Sequence, residues 1–261
     1  GMGGLTNDFV IEPDQTGCVD RADDWLGSPV QGCFYAFGDQ YAGPTNAKCL
    51  MPGMHSPAEC SIIESPPPPP AIGFPQAVPG VMCTTGSVAQ VLPCAPTVTS
   101  SGCPIADYEN MWGAGIAFDF NADKNEDGGT KHVWDPAMDP RQFIGFSFEI
   151  DTVPLAGLRV EIPMMLTDEE ASKAIPPAPP GSTTDRHQNG SPYWGASSMY
   201  PNSPVIPGKN RVLWSEIRPP RPEDYSFDTT RMIGIQFHVP ANTASRGAYS
   251  FCIKNLTLLS E

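Results

Sequence analysis

The chain has 261 residues, 40% of them hydrophobic and 17% charged, with 25 Gly and 31 Pro. That is enough apolar material for one large core, and so much Gly and Pro argues against a helical architecture, because Pro breaks helices. The 15 Lys and Arg stand against 29 Asp and Glu, a net charge of −14, which repels phosphate backbones and excludes nucleic acid as the expected partner.

No apolar run approaches the length that crosses a membrane, so no transmembrane segment is expected. The leading Gly-Met-Gly-Gly reads as a cloning scar or a trimmed precursor end, implying an export signal removed earlier. Eight cysteines stand at 18, 33, 49, 60, 83, 94, 103 and 252, seven of them in the first 103 residues. None is spaced C-x-x-C, which disfavours zinc ribbons and thioredoxin-like motifs. The expectation is up to four disulfides in an oxidising compartment, hence a secreted or cell-surface protein. Cys252 is expected to pair back to the N-terminal region and tie the last strand to a cysteine-laced cover.

In chain order, residues 1–31 are irregular and acidic, and GCFYAFGD at 32–39 is the first strand, with Phe34 and Ala36 on one face and Cys33, Tyr35 and Phe37 on the other. A Cys- and Pro-rich insert follows at about 40–80. Its run Pro66–Pro70 adopts polyproline II, read as a stiff spacer rather than an SH3-type ligand. One or two strands fall within 81–92, and a second Cys-rich loop spans 93–110. The segment WGAGIAFDF at 112–120 is a strand with unlike faces. Ala114, Ile116, Phe118 and Phe120 suit a core, while Gly113, Gly115, Ala117 and Asp119 leave room that a side chain, a loop or a ligand can fill.

Strands are expected at 143–151 and 157–166, joined as a hairpin because their connection is short. Leu158, Val160 and Ile162 point inward there, with Arg159 and Glu161 outward. A short helical stretch, Thr167–Ala174, opens a long aromatic loop at about 167–208. Strands at 210–217, 232–239 and 249–259 complete a set of about eight. The expected fold is all-β: a single domain over 1–261, a two-sheet antiparallel β-sandwich (jelly roll) with long disulfide-rich loops.

Four constellations carry chemistry. The alternation places Tyr35, Ser147, Glu149, Arg159, Glu161, Gln236 and His238 on one polar face beside the small-residue patch. Such a face is either a sugar-binding groove, where hydroxyls are hydrogen-bonded and rings stacked, or a solvated surface with Glu149 and Arg159 as a cross-strand ion pair. The loop 185–200 brings His187, Tyr193, Trp194 and Tyr200 into a Gly/Ser/Pro-rich stretch, either a stacking platform over that groove or a plug pinning the loop to the body. Asp123, Asn125 and Asp127 before Gly128 present oxygens at alternate positions, which suits a structural Ca²⁺. Trp134 occupies the place where an EF-hand needs Glu, so Asp119 and Asp135 would have to complete the shell, and an acidic turn is the other reading. Glu149 and Glu161, if they share a groove, are the carboxylate pair that a glycan hydrolase requires. Arg159 beside them favours a salt bridge over a proton donor, so catalysis is the less favoured reading. A structural or adhesion role contacting protein partners is a third. The sequence sets neither the sugar nor the oligomeric state.

The ordered set GCFYAFGD, WGAGIAFDF, FIGFSFEI, LRVEIP, GIQFHV and YSFCIKNLTLL resembles the galactose-binding-like jelly-roll, or carbohydrate-binding-module, domains of secreted bacterial proteins of the myxobacterial kind. The likeness covers roughly residues 30–40 and 81–261, and the insert at 40–80 departs from it. The resemblance implies a sandwich that binds polysaccharide and often carries structural Ca²⁺, and with the residues above it makes non-catalytic carbohydrate binding the expected role. Carried over by position, it points to Tyr35, Arg159, Gln236 and Trp194 as sugar contacts.

Overall fold

Period-two alternation decides which side of each strand is buried, and the apolar sides build two layers. The computed structural model describes residues 8–13, 17–19, 30–38, 71–73, 80–88, 113–121, 133–167, 169–170, 189–190, 193–194, 205–219, 225–240 and 247–261, with only the backbone at 71–73, 189–190 and 193–194.

One sheet contains β1 (Phe9–Val10), β4 (Ala71–Gly73), β5 (Val81–Val88), β7 (Gly145–Ile150), β12 (Gly208–Leu213) and β15 (Gly247–Leu259), numbered in chain order. Its order is β12-β7-β15-β5-β4, with β1 against the far end of β15. The other contains β2 (Cys18–Val19), β3 (Gly32–Gly38), β6 (Gly113–Phe120), β8 (Arg159–Glu161), β11 (Tyr193–Trp194), β13 (Ile217–Arg218) and β14 (Gly234–Pro240), in the order β13-β11-β8-β14-β6-β3-β2. A small ribbon pairs β9 (Met164–Met165) with β10 (Asn189–Gly190). Every register among these strands is antiparallel. The chain is an all-β sandwich of two antiparallel sheets, with six and seven strands among the described residues. It changes sheet from β5 to β6, β6 to β7 and β7 to β8, the connectivity of a jelly roll.

The core lies between the layers. Phe118, Phe120, Phe146, Phe148 and Phe237 are fully buried in it, each contributing about 1.5–3 kcal/mol by leaving water. Phe148 on β7 meets Phe237 on β14 edge-on at 4.8 Å between ring centroids, which couples the two sheets. Ala114, Ile116, Phe118 and Phe120 are core residues, as the alternation of β6 requires.

The expected hairpin at 143–166 does not form. β7 belongs to the six-stranded sheet and β8 to the seven-stranded one. Phe146, Phe148 and Ile150 enter the core from one layer, and Leu158, Val160 and Ile162 enter it from the other. The connection therefore passes over the end of the sandwich, and the outward residues of the two strands point in opposite directions.

Cys252 pairs back to the cysteine-rich first part of the chain, as expected, but its partner lies on a strand of the sandwich and not on a cover. Cys18–Cys33 links β2 to β3, and Cys83–Cys252 links β5 to β15, each at directly opposed positions with Cα atoms 4.0 Å apart. Cys252 thus ties the last strand to its neighbour in the same sheet. Cys49, Cys60, Cys94 and Cys103 lie outside the described residues. At the head of the 167–208 segment, Thr167 and Glu170 exchange the reciprocal bonds of a helix start, Thr167 N to Glu170 Oε2 at 3.0 Å and Glu170 N to Thr167 Oγ1 at 3.3 Å. Arg231 then holds Glu170 through both carboxylate oxygens, at 2.5 and 3.1 Å, and Asp228 at 2.9 Å.

Candidate functional site

The outer face of the seven-stranded sheet is assembled by register. Across β3, β6, β14, β8, β11 and β13, the directly opposed residues are Tyr35, Ala117, Gln236, Glu161, Tyr193 and Arg218. The neighbouring row on that face is Phe37, Gly115, His238 and Arg159. Opposed residues in antiparallel strands share a face and sit close enough to touch, so side chains far apart in sequence meet here.

The small residues of β6 are what let them meet. A Cβ on Gly113 would lie 2.4 Å from Nε2 of His238, and one on Gly115 would lie 3.1 Å from Cζ of Phe37 and 2.0 Å from the Phe237 carbonyl oxygen. The room above β6 is therefore taken by His238 and Phe37, whose rings meet edge-on at 5.8 Å. Gly113 also has φ of +132°, a backbone state that glycine adopts without strain.

Two further ionisable side chains, Glu161 and Arg159, converge on His238. Glu161 Oε1 accepts from Arg159 Nη2 at 2.5 Å and from His238 Nδ1 at 2.8 Å. Glu161 and His238 side chains are only 7% and 3% exposed, and Arg159 is 23% exposed. Burial by itself would raise the Glu161 carboxyl, but the charges and hydrogen bonds of His238 and Arg159 outweigh it and hold the group at about 2. Because an ionised carboxylate only accepts, Nδ1 of His238 carries its proton toward Glu161. Arginine only donates, so the 3.0 Å approach of Arg159 Nη2 to His238 Nδ1 is two donors sharing one oxygen.

A second chain of bonds runs along the same face. Tyr35 OH donates to Asp119 Oδ1 at 3.2 Å, and the Gln236 side chain bonds the Tyr35 oxygen. Burial first, and then the Asp119 charge, raise the Tyr35 hydroxyl above its usual range. The rings of Tyr35 and Phe37 lie 6.3 Å apart, both half-buried.

Of the residues expected in the site, Tyr35, Arg159, Glu161, Gln236 and His238 are brought together. The backbones of Tyr193 and Trp194 join the same sheet as β11, Tyr193 opposite Glu161 and Trp194 opposite Ile217. That segment is thus a strand between β8 and β13 where a loop was expected. Glu149 and Ser147 are not in the group: they stand on the outer side of the six-stranded sheet, Glu149 opposite both Lys209 and Lys254. The sandwich core separates Glu149 from Glu161, so the two cannot flank one glycosidic bond, and the carboxylate pair of the hydrolase reading is not assembled. His187, Tyr200, Asp123, Asn125 and Asp127 lie outside the described residues. Asp119 is turned to Tyr35, and Asp135 accepts from the Ala137 amide at 2.9 Å. Among the described residues no group of three or more His, Cys, Asp and Glu is placed to hold a metal ion.

Phe37 and Arg218 were not expected in the site. Phe37 had a signal, its parity with Tyr35 in CFYAF. Arg218 had none, because a two-residue strand has no period to detect. Arg218 is exposed at the end of the row, with Nη1 donating to the carbonyls of Ser215 and Ile217 at 2.7 and 2.8 Å.

No protein-family profile matches the chain, and no curated protein does. Among solved structures, the solution structure of CtCBM11, a carbohydrate-binding module, aligns over 100% of this chain and 99% of its own at 11% identity and a TM-score of 0.40. That likeness is too distant to carry an argument about function. Among the described residues no helix is long and apolar enough to cross a membrane.

Proposed function

We propose that the chain is a non-catalytic carbohydrate-binding protein, secreted or held at a cell surface, whose ligand lies across the outer face of the seven-stranded sheet. The observation that carries this reading is the pair of opposed rows. They place the half-buried rings of Tyr35 and Phe37 beside the polar groups of Gln236 and Arg159, on strands whose register fixes their spacing. Sugars offer hydroxyl fans to such polar groups and C–H faces to such rings. Donors already held by neighbours lose little freedom on binding, which favours affinity. Glu161, kept ionised between two basic groups, suits a fixed counter-charge better than a proton donor. Tyr193, in the first row opposite Glu161, would supply a further stacking ring. Asp123, Asn125 and Asp127 would hold a structural Ca²⁺.

The test is a glycan array probed with the purified protein in Ca²⁺ and in EDTA. Sugar-specific binding is expected, weakened at least about tenfold in Arg159→Ala and in Tyr193→Ala, the worth of one charged hydrogen bond or one stacked ring. Loss in EDTA would bring in the 123–128 loop. Wild-type binding by both variants would refute the site. No binding under either condition would move the role to contact with a protein partner.

A further inference from the structure

The face has a charge inventory with a specific consequence. Among the described residues it carries two arginines, Arg159 and Arg218, the imidazole of His238, which is held under the surface, and two carboxylates, Glu161 and Asp119. The anions differ in depth and duty. Asp119 accepts the Tyr35 hydroxyl toward one side of the face. Glu161 lies beneath Arg159, contacts it at 2.5 Å, and holds His238 at 2.8 Å with the same oxygen. Arg159 is the more exposed partner of that pair. A ligand on this face therefore meets a guanidinium whose charge is already matched from below. At Arg159 it finds N–H donors without an excess positive potential. An acidic glycan gains nothing from Arg159 that a neutral one does not, and it also faces the −14 net charge of the whole chain.

We propose, resting on the carbohydrate reading above, that Glu161 is the residue that sets the charge class of the ligand: by neutralising Arg159 from beneath the sheet face, it makes the site one for neutral glycans and closes it to uronates and sulfated sugars. Glu161 is a positioning residue in this scheme and does not touch the sugar. The Glu161→Gln variant keeps an oxygen that accepts from Arg159 and His238 but removes the counter-charge. Arg159 is then an uncompensated cation beside the ligand, and it can pair with a carboxylate through parallel N–H bonds.

The experiment is affinity electrophoresis in gels containing polygalacturonate, run beside the array, with near-ultraviolet circular dichroism to check folding. The wild-type chain is expected to migrate unretarded, and Glu161→Gln to be retained about tenfold more strongly, the worth of one bond to a charged partner. Glu149→Gln makes the same change of charge on the opposite sheet and is expected to migrate like the wild type. Retention of the wild-type chain by polygalacturonate overturns the proposal, and so does equal retention of the two Gln variants, which would trace the effect to net charge. If Glu161→Gln does not fold, wild-type retention alone decides, together with salt. Binding to a neutral glycan should change less than twofold between about 20 mM and about 500 mM NaCl, whereas a ligand held by free charge weakens steeply. The two readings fail differently. A chain that binds no neutral glycan on the array loses the carbohydrate reading, whereas one that binds neutral glycans and polygalacturonate alike loses only the role of Glu161.

Discussion

On the six-stranded sheet a carboxylate, Glu149, stands between Lys209 and Lys254; on the seven-stranded sheet a carboxylate, Glu161, stands against Arg159 and His238. The residue types nearly match, but the depth does not. Lys209 is exposed, and Lys254 reaches past Glu149 to bond Asp151, whose side chain is 72% exposed. Glu161 and His238 are buried, covered by Phe37 and the neighbouring strands. An exposed pair is screened by water and salt and contributes little. A buried carboxylate cannot lose its partners without being left as a charge in a poor solvent. The contrast teaches that the second cluster is a fixed part of the fold and the first is a solvated surface, although each sets one carboxylate against two basic side chains.

The sheets also differ in covalent bracing, and there the largest effect is expected. Cys83–Cys252 spans 169 residues and Cys18–Cys33 spans 15. Replacing the first pair by Ala should cost about 5 kcal/mol and the second about 3 kcal/mol, by the loop-closure entropy that each removes from the unfolded chain. Urea denaturation of the two double variants measures both, and equal losses would show that loop length is not what separates them.

Next comes the ion cluster. Glu161→Ala should destabilise by about 3–5 kcal/mol because it strands Arg159 and His238, lowering the melting temperature by roughly 6–20 °C for a chain of this size. The same experiment in acid sharpens the point. The Glu161 carboxyl is lowered from 4.5 to about 2 in the fold, so its contribution is complete above pH 4.5 and disappears as pH falls toward 2. Glu170, lowered to about 2 chiefly by its hydrogen bond to Arg231, contributes in the same direction. A Glu161→Gln chain should therefore lose part of the acid limb of its stability curve, and adding Glu170→Gln should flatten it further. An acid limb unchanged in both would mean that neither carboxylate is held down by its partners.

The smallest effect belongs to the exposed row. Glu149→Ala should change stability by no more than about 0.5 kcal/mol. A loss comparable to that of Glu161→Ala would erase the distinction between the two faces.

Much of the sandwich was legible because burial leaves a period of two in the chain. WGAGIAFDF separates a core face from a small-residue face, and β6 obeys it residue by residue. GIQFHV puts Ile235, Phe237 and Val239 in the core and turns Gln236 and His238 to the other face in the same way. What alternation does not encode is the layer to which a strand belongs. β7 and β8 both have one apolar side, and two such strands can lie edge to edge in one sheet or face to face across a core. The short connection suggested the first, and the fold takes the second. That single ambiguity placed Glu149 with Glu161 on one polar face. The shorter elements were illegible for a different reason. β2, β11 and β13 are two residues each and are defined by the neighbouring strands that offer them hydrogen bonds, so Arg218 had nothing local to announce its place beside the site.

The bond between Cys83 and Cys252 also governs how the protein would respond to a mechanical load. Asp8 and Ser260 are hydrogen-bonded neighbours, and β1 runs antiparallel to the end of β15. Tension applied at those two points opens β1 one rung at a time, like a zip, instead of shearing all its bonds together. Lengthening then stops early. Everything between Cys83 and Cys252 is bypassed by the disulfide, so those 169 positions, at about 3.3–3.6 Å of reach each when drawn straight, carry no tension until the bond is reduced. Both rows of the candidate site from β6 through β14 lie within that shielded length, while Tyr35 and Phe37 on β3 lie outside it. A pulled chain would thus surrender its aromatic edge while the ionic cluster stayed folded.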